Sequence, residues 1–484
     1  MNGVDELPSG WSGISFASAV IVEKGRRPRT LGEQSRERSV PYVNIKAFER
    51  GIIEEFCDPK EAIIQCAQGD TLVVWDGARS GLVGKAPVGA VGSTLAKLGS
   101  PVLESDYLRL FLSSKYRELN TRTKGVGIPH LDPNVLGDLI VPVAPLAEQR
   151  RIIEALETRF ARIDAAVKAL ERARANLKRY RASILGAACS GRLVPTEAAL
   201  ARKTGTPFES ARDLVARLRE QRKRAREELG GRKDLVDASS LALPGLPLPE
   251  GWSWFPFVEL AGRVTVGYVG PISKEHRDEG VALLRSQNVR PNRFDPTGIS
   301  HVSTGFFDEN RKCAVSPGDI CIVRSGDVGT ACVVPNYLGE ALCSDLVLIQ
   351  KPVGIVPQFG AYVLNSIARE RVHKGTVGIG LPHYNTKSVA SLPIPVPPLE
   401  EQRRIVDEVE RELSVVVQAE AQVEHGLVRS ANLRSSILKA AFEGRLVPQD
   451  PSDEPASALL ERIKMANSLT SKPVRSGRRR LAAK

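Results

Sequence analysis

Several features that define other classes of protein are missing from this chain of 484 residues. It has no run of about 18 apolar residues, so the sequence predicts no membrane span. The N-terminus has no charged segment followed by an apolar one, which predicts a chain without a secretory signal. The seven cysteines form no Cys-x-x-Cys pair, and no His/Cys set has zinc-ligand spacing. Reduced thiols in a cytoplasmic protein are therefore expected.

Catalytic motifs are missing as well. The stretch Gly81-Leu-Val-Gly-Lys is not a P-loop, because Arg79 stands where its first glycine is required. No GxSxG, HExxH or kinase motif occurs, and neither does the Asn/Asp-Pro-Pro-aromatic motif of amino-methyltransferases. His130 and His383 occupy equivalent loops, and a turn or capping role is favoured over catalysis because no neighbouring carboxylate is specified. The sequence therefore indicates a binding protein.

What the chain does contain is an internal duplication. Pro145-Leu-Ala-Glu-Gln-Arg-Arg-Ile returns as Pro398-Leu-Glu-Glu-Gln-Arg-Arg-Ile, an offset of 253 residues. The same offset relates two later segments that both contain Gly-Arg-Leu-Val-Pro, which is the signature of an internal repeat. Proline followed by acidic residues favours a first helical turn. Two long helices are predicted, from about residue 145 to 190 and from about 398 to 443.

Apolar residues follow heptad spacing along both predicted helices. Such narrow, long stripes favour a coiled coil of the two helices over two helices that each pack on a separate globular domain. Glu420 is expected to meet Arg174 or Arg181 across the seam. The predicted seam residues are Ile153, Leu156, Phe160, Ile163, Val167, Leu170, Val406, Val409, Leu413, Val416, Val423 and Leu427.

The formal net charge of +12 is distributed unevenly. Residues 1–147 sum to zero, whereas residues 148–247 carry +9. This excess has two interpretations, a solvated helix face or a basic rod that lies over a nucleic acid duplex. Its densest part comprises Arg217, Arg219, Arg222, Lys223, Arg224 and Arg226.

The blocks that precede the two helices share an outline but little else. Each opens on a Leu-Pro-x-Gly-Trp-Ser motif, at Leu7 and Leu248, and continues with short apolar bursts typical of strands. A Gly-Asp turn and a Gly-x-Gly-x-Pro-His loop recur in both blocks. Between these shared motifs the sequences differ, which indicates a duplicated scaffold that presents two different reading surfaces.

Taken together, the Pro-Leu-x-Glu-Gln-Arg-Arg-Ile, Leu-Pro-x-Gly-Trp-Ser and Gly-Arg-Leu-Val-Pro motifs resemble the specificity subunit of type I restriction–modification systems, over residues 6 to 466. The resemblance implies an α+β fold: two mixed α/β target-recognition domains, separated by an antiparallel two-helix coiled coil with pseudo-two-fold symmetry. Each domain would read one half of a bipartite, asymmetric site in double-stranded DNA. The resemblance also implies two methyltransferase subunits and restriction subunits as partners. AdoMet, Mg²⁺ and ATP would be bound by those partners, and this chain would be non-catalytic.

The predicted segments follow from the repeat. Residues 1–144 and 247–397 are the two target-recognition domains, and residues 145–246 and 398–467 are the helical regions. Residues 468–484 form a basic tail that is predicted to be disordered.

Base readout in the major groove needs donors and acceptors such as Arg, Lys, Asn and Gln. Two alternatives stay open at this stage: a stand-alone or fused DNA-modifying enzyme, and a coiled-coil interaction module with no role on DNA. The predicted DNA-contacting residues are Asn44, Lys46, Arg79, Lys85, Arg122 and Lys124 in the first block, and Arg285, Gln287, Asn288, Arg290, Arg324 and Lys374 in the second.

Overall fold

The computed structural model describes residues 7–125, 127–231, 233–241, 247–373 and 385–470. Short strands dominate the two blocks. In chain order, β1 to β24 are Ser12–Ser15, Ile21–Lys24, Leu31–Gly32, Val40–Val43, Phe56–Cys57, Gln65–Cys66, Thr71–Val74, Val83–Lys85, Gly89–Val91, Leu95–Gly99, Ile140–Val143, Ser253–Pro256, Ala261–Val266, His276–Arg277, Val281–Leu284, Val289–Arg290, Arg293–Phe294, Ser300–Val302, Ala314–Val315, Ile320–Val323, Ala331–Val333, Ala341–Cys343, Leu346–Pro352 and Pro393–Val396.

The helices range from one turn to twelve turns. In chain order, α1 to α13 are Phe16–Ala19, Ile45–Arg50, Ser105–Thr121, Pro133–Gly137, Leu146–Cys189, Glu197–Thr204, Ala211–Arg217, Arg219–Glu228, Thr304–Glu309, Pro357–His373, Thr386–Ala390, Leu399–Phe442 and Ala456–Thr470. None of the helices in the described ranges combines the length and apolarity needed to cross a membrane.

The chain divides into two compact units. Unit 1 comprises residues 1–171 and 424–484, and unit 2 comprises residues 172–423. Each unit therefore holds one block, the first part of the long helix that follows that block, and the last part of the other long helix. The blocks are called head 1 (residues 7–144) and head 2 (residues 247–397) below.

The two long helices, α5 and α12, begin one residue after their predicted prolines and contain 44 residues each. At 1.5 Å per residue each helix is about 66 Å long. All twelve predicted seam residues are buried or half-buried. The fold class is confirmed, since mixed head domains occur together with paired long helices.

Within unit 1, the start of α5 and the end of α12 run antiparallel. The Arg434 guanidinium lies 4.2 Å from the centre of the Phe160 ring and 2.6 Å from a carboxylate oxygen of Asp164. Further along, Leu170 packs so closely on Gly426 that a Cβ at residue 426 would lie 3.0 Å from a Leu170 methyl group. A residue without a side chain thus allows close helix approach at this point.

Within unit 2, the end of α5 and the start of α12 also pair in antiparallel orientation. The Arg181 guanidinium donates to Glu420 at 2.9 Å, which confirms one of the two partners predicted for Glu420. The Tyr180 hydroxyl donates to Glu412 at 2.7 Å. Polar contacts therefore flank the apolar seam and fix its register.

The two heads have the same strand order despite their different sequences. In head 1 one sheet has the order β2-β10-β7-β8, and in head 2 the order is β13-β23-β20-β21. The second sheet has the order β3-β5-β4-β9-β6 in head 1 and β14-β18-β15-β22-β19 in head 2. In each head this second sheet contains one parallel pair. The duplication therefore extends through the heads, and β16–β17 is an additional hairpin in head 2.

The first turn of each long helix is fixed by a buried Glu-Trp contact. The Trp11 indole donates to Glu148 at 2.9 Å, and the Trp252 indole donates to Glu401 at 2.8 Å. Both carboxylates are almost completely buried. Burial raises the pKa of both glutamates above its ordinary value, although the indole N–H groups oppose this effect. The contact joins the first residues of each head to the helix that ends it.

The neighbouring glutamine is fully buried and binds two further segments. Gln149 accepts a hydrogen bond from the Glu104 N–H at 2.9 Å. Its amide donates to the carbonyls of Val102 and Ala144 at 3.1 and 3.0 Å. Gln402 repeats all three bonds in unit 2, with Val356, Gly354 and Pro397. One side chain thereby satisfies three backbone groups that have no strand partner.

The second arginine of the motif binds the chain segment that follows the other long helix. Arg151 donates to Asp453 at 2.6 Å in unit 1, and Arg404 donates to Glu197 at 2.8 Å in unit 2. Each of the three polar residues of the Glu-Gln-x-Arg motif therefore has a structural partner of its own. This arrangement of Glu, Gln and Arg is called the helix seat below.

A Gly-Asp turn leads into the central strand of each head. Gly69 and Gly318 both have φ of 90°, a left-handed conformation that favours glycine. Asp70 forms an ion pair with Lys97 at 2.8 Å. In head 2 the strand position that corresponds to Lys97 is occupied by Leu348, which has no charge. Asp319 is buried and accepts hydrogen bonds from the backbone N–H groups of Ser316 and Lys351.

The pKa values of the two turn aspartates are consequently shifted in opposite directions. Burial raises the pKa of Asp319 to about 6, although its two backbone hydrogen bonds oppose the shift. Burial also opposes ionisation of Asp70, but Lys97 and the Ala67 N–H outweigh it, so the pKa of Asp70 is lowered.

We expect Gln149→Leu to lower the free energy of unfolding by about 3 kcal/mol, because it leaves three buried backbone groups without partners. Gln402→Leu should have a similar effect through unit 2. Chemical denaturation gives the measurement, and Arg159→Ala on the exposed face of α5 is the control, with an expected change within about 0.5 kcal/mol. A loss below about 1 kcal/mol for both glutamine variants would show that the seat contributes little.

The turn aspartates predict opposite dependences of stability on pH. Since the pKa of Asp319 is raised in the folded state, its contribution is present below pH 4 and is lost as pH rises through about 6. The loss is on the order of 2 to 3 kcal/mol. As the pH is raised from 4 to 7.5, the unfolding midpoint of the wild type should therefore fall relative to that of Asp319→Asn. For Asp70→Asn the sign reverses, because the lowered pKa of Asp70 stabilises the wild type above its ordinary pKa.

Candidate nucleic-acid interface

The cations predicted to contact DNA in head 1 are all paired with carboxylates of the same unit. Arg79 lies 2.7 Å from Glu49, and Lys124 lies 2.9 Å from Asp132. The remaining pairs are Lys46 with Glu54, Lys85 with Asp106 and Arg122 with Glu118. Asn44 caps α2 by accepting from the Ala47 N–H at 3.0 Å, so its side-chain oxygen is used within the head.

Most of these residues lie at one end of head 1. Arg79 reaches Glu49 on α2, the helix that also carries Lys46. Asn120, near the end of α3, donates to the carbonyls of Ala78 and Ser80 and so holds the Arg79 loop beside Arg122. Lys85 is separate, because its partner Asp106 is at the opposite end of the 17-residue α3.

In head 2 the structure brings four of the predicted residues together around one loop. Gln287 donates to the carbonyl of Gly298 at 2.8 Å, and Arg285 approaches the same carbonyl at 3.4 Å. Arg290 lies 3.4 Å from Asp295 on the same loop. The fourth residue, Asn288, is fully buried and donates to the carbonyls of Asp295 and Thr297. Its amide supports the loop from inside and is not presented to solvent.

The two other predictions for head 2 have different outcomes. Arg324 lies apart from this loop, 3.4 Å from Asp345. Lys374 is outside the described residues, as is the loop that ends at His383.

His130 has a carboxylate neighbour that its sequence position did not reveal. Its Nδ1 lies 2.7 Å from Asp76, which is itself 3.2 Å from Lys24. The backbone of His130 exchanges two hydrogen bonds with Lys124 and so closes a turn. The contact with Asp76 joins this turn to the chain segment that leads to Arg79. The absence of a neighbouring carboxylate, which was the reason for favouring a turn or capping role over catalysis, is therefore wrong. The contacts join three chain segments at the same end of the head.

The segment between β2 and β4 was missed as a candidate. Residues 25–38, called the arginine loop below, contain five arginines and two glutamates. Its arginines are Arg26, Arg27, Arg29, Arg36 and Arg38. The signal was present in the sequence as Gly-Arg-Arg-Pro-Arg, but the charge sum over residues 1–147 cancelled it. The loop begins next to Lys24, and therefore next to the Asp76–His130 contact.

The basic cluster after the first long helix is partly explained by structure. Arg217 pairs with Glu209 at 2.6 Å, Arg226 pairs with Asp234 at 2.9 Å, and Arg222 binds the carbonyl of Ala261 at 3.1 Å. The Arg222 contact fastens α8 to head 2, whereas the other two contacts lie within the helical region. Arg219, Lys223 and Arg224 point outwards and are exposed. Part of the cluster is thus a solvated face, and part holds the fold together.

Within the described ranges, no three His, Cys, Asp or Glu side chains are grouped as ligands for a metal ion. Burial raises the pKa of the Cys332 thiol well above its ordinary value, which keeps this group neutral and unreactive. The loops described above carry donors from Arg, Lys and Gln, the types that bind phosphates and base edges.

The duplicated scaffold thus defines a class of two-headed repeat proteins in which heads of one strand order carry different cations. The family model described as the type I restriction modification DNA specificity domain matches residues 8–172 and 271–415. The chain belongs to this family, which confirms the resemblance drawn from its motifs. It is a specificity subunit, the DNA-recognition component, and not an enzyme.

Relatives agree over nearly the whole chain. The specificity subunit of the type I restriction enzyme EcoBI from Escherichia coli is 24% identical over 487 residues, covering 96% of this chain and 94% of that protein. The MjaVIII specificity subunit from Methanocaldococcus jannaschii is 23% identical and covers 84% of this chain and 87% of its own length. A solved structure from a study of assembly and conformational transition in a type I restriction–modification system has a TM-score of 0.61 at 19% identity, covering 91% of this chain and 99% of that one.

Proposed function

We propose that head 1 and head 2, within residues 1–144 and 247–397, are the two target-recognition domains of a type I restriction–modification complex. Each head reads one half of a bipartite, asymmetric site in double-stranded DNA. The observation that carries this proposal is the combination of identical strand order with different polar loops in the two heads. A shared frame presents two dissimilar surfaces, as a split asymmetric site requires.

The helical regions, within residues 145–246 and 398–467, set the distance between the half-sites and dock two methyltransferase subunits. Restriction subunits complete the complex. AdoMet, Mg²⁺ and ATP belong to those partners, since the chain itself supplies recognition. The complex works in the cytoplasm, where its DNA substrate is, and this location fits the six buried cysteines, which are reduced thiols in the structure.

Base contacts are assigned to polar donors of the two heads. In head 1 these are Lys46, Arg79, Arg122 and Lys124. In head 2 they are Arg285, Gln287 and Arg290 at one loop, and Arg324 beside Asp345. Most of them are already oriented by a carboxylate or carbonyl of the same head, which limits the entropy lost when they bind a base edge. Asn44 and Asn288 support these loops from within, and Lys85 has no neighbour in either cluster.

A block exchange tests this division of labour. Residues 247–397 are replaced by the corresponding block of another specificity subunit, and the variant is expressed with the methyltransferase subunits of this system. Sequencing of methylated bases should show one half of the site changed and the other half unchanged. The reciprocal exchange of residues 1–144 is the matched control and should change only the other half. A site that stays the same, or that changes in both halves at once, would contradict the proposal.

A second experiment tests the long helices as the spacer. Insertion of seven residues into both α5 and α12, in register, lengthens the pair by about 10 Å. The preferred gap between the half-sites should then increase by about three base pairs, given about 34 Å per turn of duplex. Insertion into α5 alone is the control, and we expect it to destroy the seam and abolish methylation. A doubly lengthened protein that keeps the original gap would show that the helices do not set it.

A further inference from the structure

The arginine loop of head 1 carries positive charge that is not neutralised by ion pairs. Arg26, Arg27 and Arg36 are exposed, and within the described ranges no carboxylate forms an ion pair with any of them. By contrast, the five cations predicted to contact DNA in this head are all engaged with carboxylates. A free guanidinium binds an anion without first breaking an ion pair, so these three arginines are the better placed group for phosphates.

The backbone of the loop is held in place, while the side chains of Arg26, Arg27 and Arg36 are exposed. Glu61 accepts hydrogen bonds from the N–H groups of Arg29 and Thr30, at 2.8 and 3.0 Å. The loop starts with the Arg26 N–H bound to the carbonyl of Val91 at 3.1 Å. It closes on a turn in which Arg38 donates to the carbonyl of Glu33 at 3.1 Å. Fixed backbone positions reduce the conformational entropy that is lost when the guanidinium groups bind.

The equivalent loop of head 2 has the opposite charge balance. Residues 267–280 connect β13 to β15, as the arginine loop connects β2 to β4. They carry Lys274 and Arg277 against Glu275, Asp278 and Glu279. Arg277 is also engaged, since it donates to the carbonyls of Lys274 and His276. At the root of this loop, the position of Lys24 is taken by Val266.

We propose that the arginine loop is a phosphate-binding element and that head 1 supplies more of the electrostatic attraction to DNA than head 2. The inference rests on the proposed function and adds an asymmetry to it. Arginine suits this role because its planar guanidinium forms two parallel hydrogen bonds to a phosphate. Such contacts position the protein along the duplex and carry no sequence information. Head 1 thus holds the duplex in a sequence-independent way, in addition to reading its own half-site.

The test compares salt dependence in the assembled methyltransferase complex. The probe is a fluorescent 30-base-pair duplex of random sequence, so the result does not depend on recognition of a target. The first variant carries Arg26→Gln, Arg27→Gln and Arg36→Gln. The matched control carries Lys274→Gln and Arg277→Gln in the equivalent loop of head 2. The logarithm of the association constant is measured against the logarithm of the salt concentration for each protein.

Three lost phosphate contacts should reduce the steepness of this plot by about 2.7, at about 0.9 per contact. The head 2 variant should change it by less than about 0.5. Thermal unfolding of the first variant should match the wild type, because its three guanidinium groups have no ion pair to lose.

Two results would overturn the inference: a slope change below about 1 for the arginine-loop variant, or an equal change in both variants. A third result would also overturn the inference: the variant assembles poorly with methyltransferase subunits, but the fraction that does assemble binds DNA with wild-type affinity. The loop would then be a docking site for a protein subunit. Failure of the proposed function is visible separately, as a wild-type complex that binds a duplex with the methylated host site no more tightly than the random probe.

Discussion

The helix seat is the constraint on which the remaining structure depends. Within one turn of α5, Glu148 binds the start of the head, Gln149 binds the segment before α3, and Arg151 binds the segment after α12. Three separate parts of the chain are thereby tied to the first turn of a 44-residue helix. Glu148 and Gln149 are desolvated, so losing one partner leaves the other with an unmet hydrogen bond. These contacts consequently fix the head on its helix, in contrast to a head that is attached only by a flexible linker.

The same seat explains how the two heads diverged without losing their fold. Its contacts run from helix side chains mainly to backbone groups and to one tryptophan, so they place few demands on the head sequence. The sheets add a second requirement, which is met by apolar strands such as Thr71–Val74 and Ile320–Val323. Loop residues outside the seat and the sheets are under neither constraint. Differences therefore accumulate in the loops, while the strand order stays the same.

The features that could be predicted from the sequence are those with long-range regularity. Heptad spacing and flanking prolines gave the bounds of both long helices to within about one residue, and the pairing of Arg181 with Glu420 followed from the seam. The shared motifs gave the duplication, although the function of their Glu, Gln and Arg residues emerged only from contacts between distant segments. Helix α13 continues to Thr470, so the region predicted as a tail begins with a helical turn. Residues 471–484 are outside the described part of the chain.

Other features escaped prediction for physical reasons. Strands of two residues, such as β3 and β14, have no periodicity to detect, and they form because neighbouring strands supply their hydrogen bonds. Asn288 has the residue type of a base reader, but its burial depends on a loop whose carbonyls it satisfies. The arginine loop was hidden because charge was summed over a domain, whereas an ion in solution responds to charge within about 10 Å. Local charge density, and not domain charge, is the relevant quantity.

The paired and unpaired cations of head 1 differ in what they are suited to do. A base edge is read by a side chain whose direction is fixed, and the 2.7 Å contact with Glu49 gives Arg79 such a direction. The same carboxylate lowers the attraction of Arg79 for phosphates, because the pair is close to neutral at a distance. Arg26, Arg27 and Arg36 have no such partner, so they retain their full charge but have no fixed direction. Phosphate contacts give affinity and base contacts give specificity, so paired and unpaired cations suit different tasks in DNA binding.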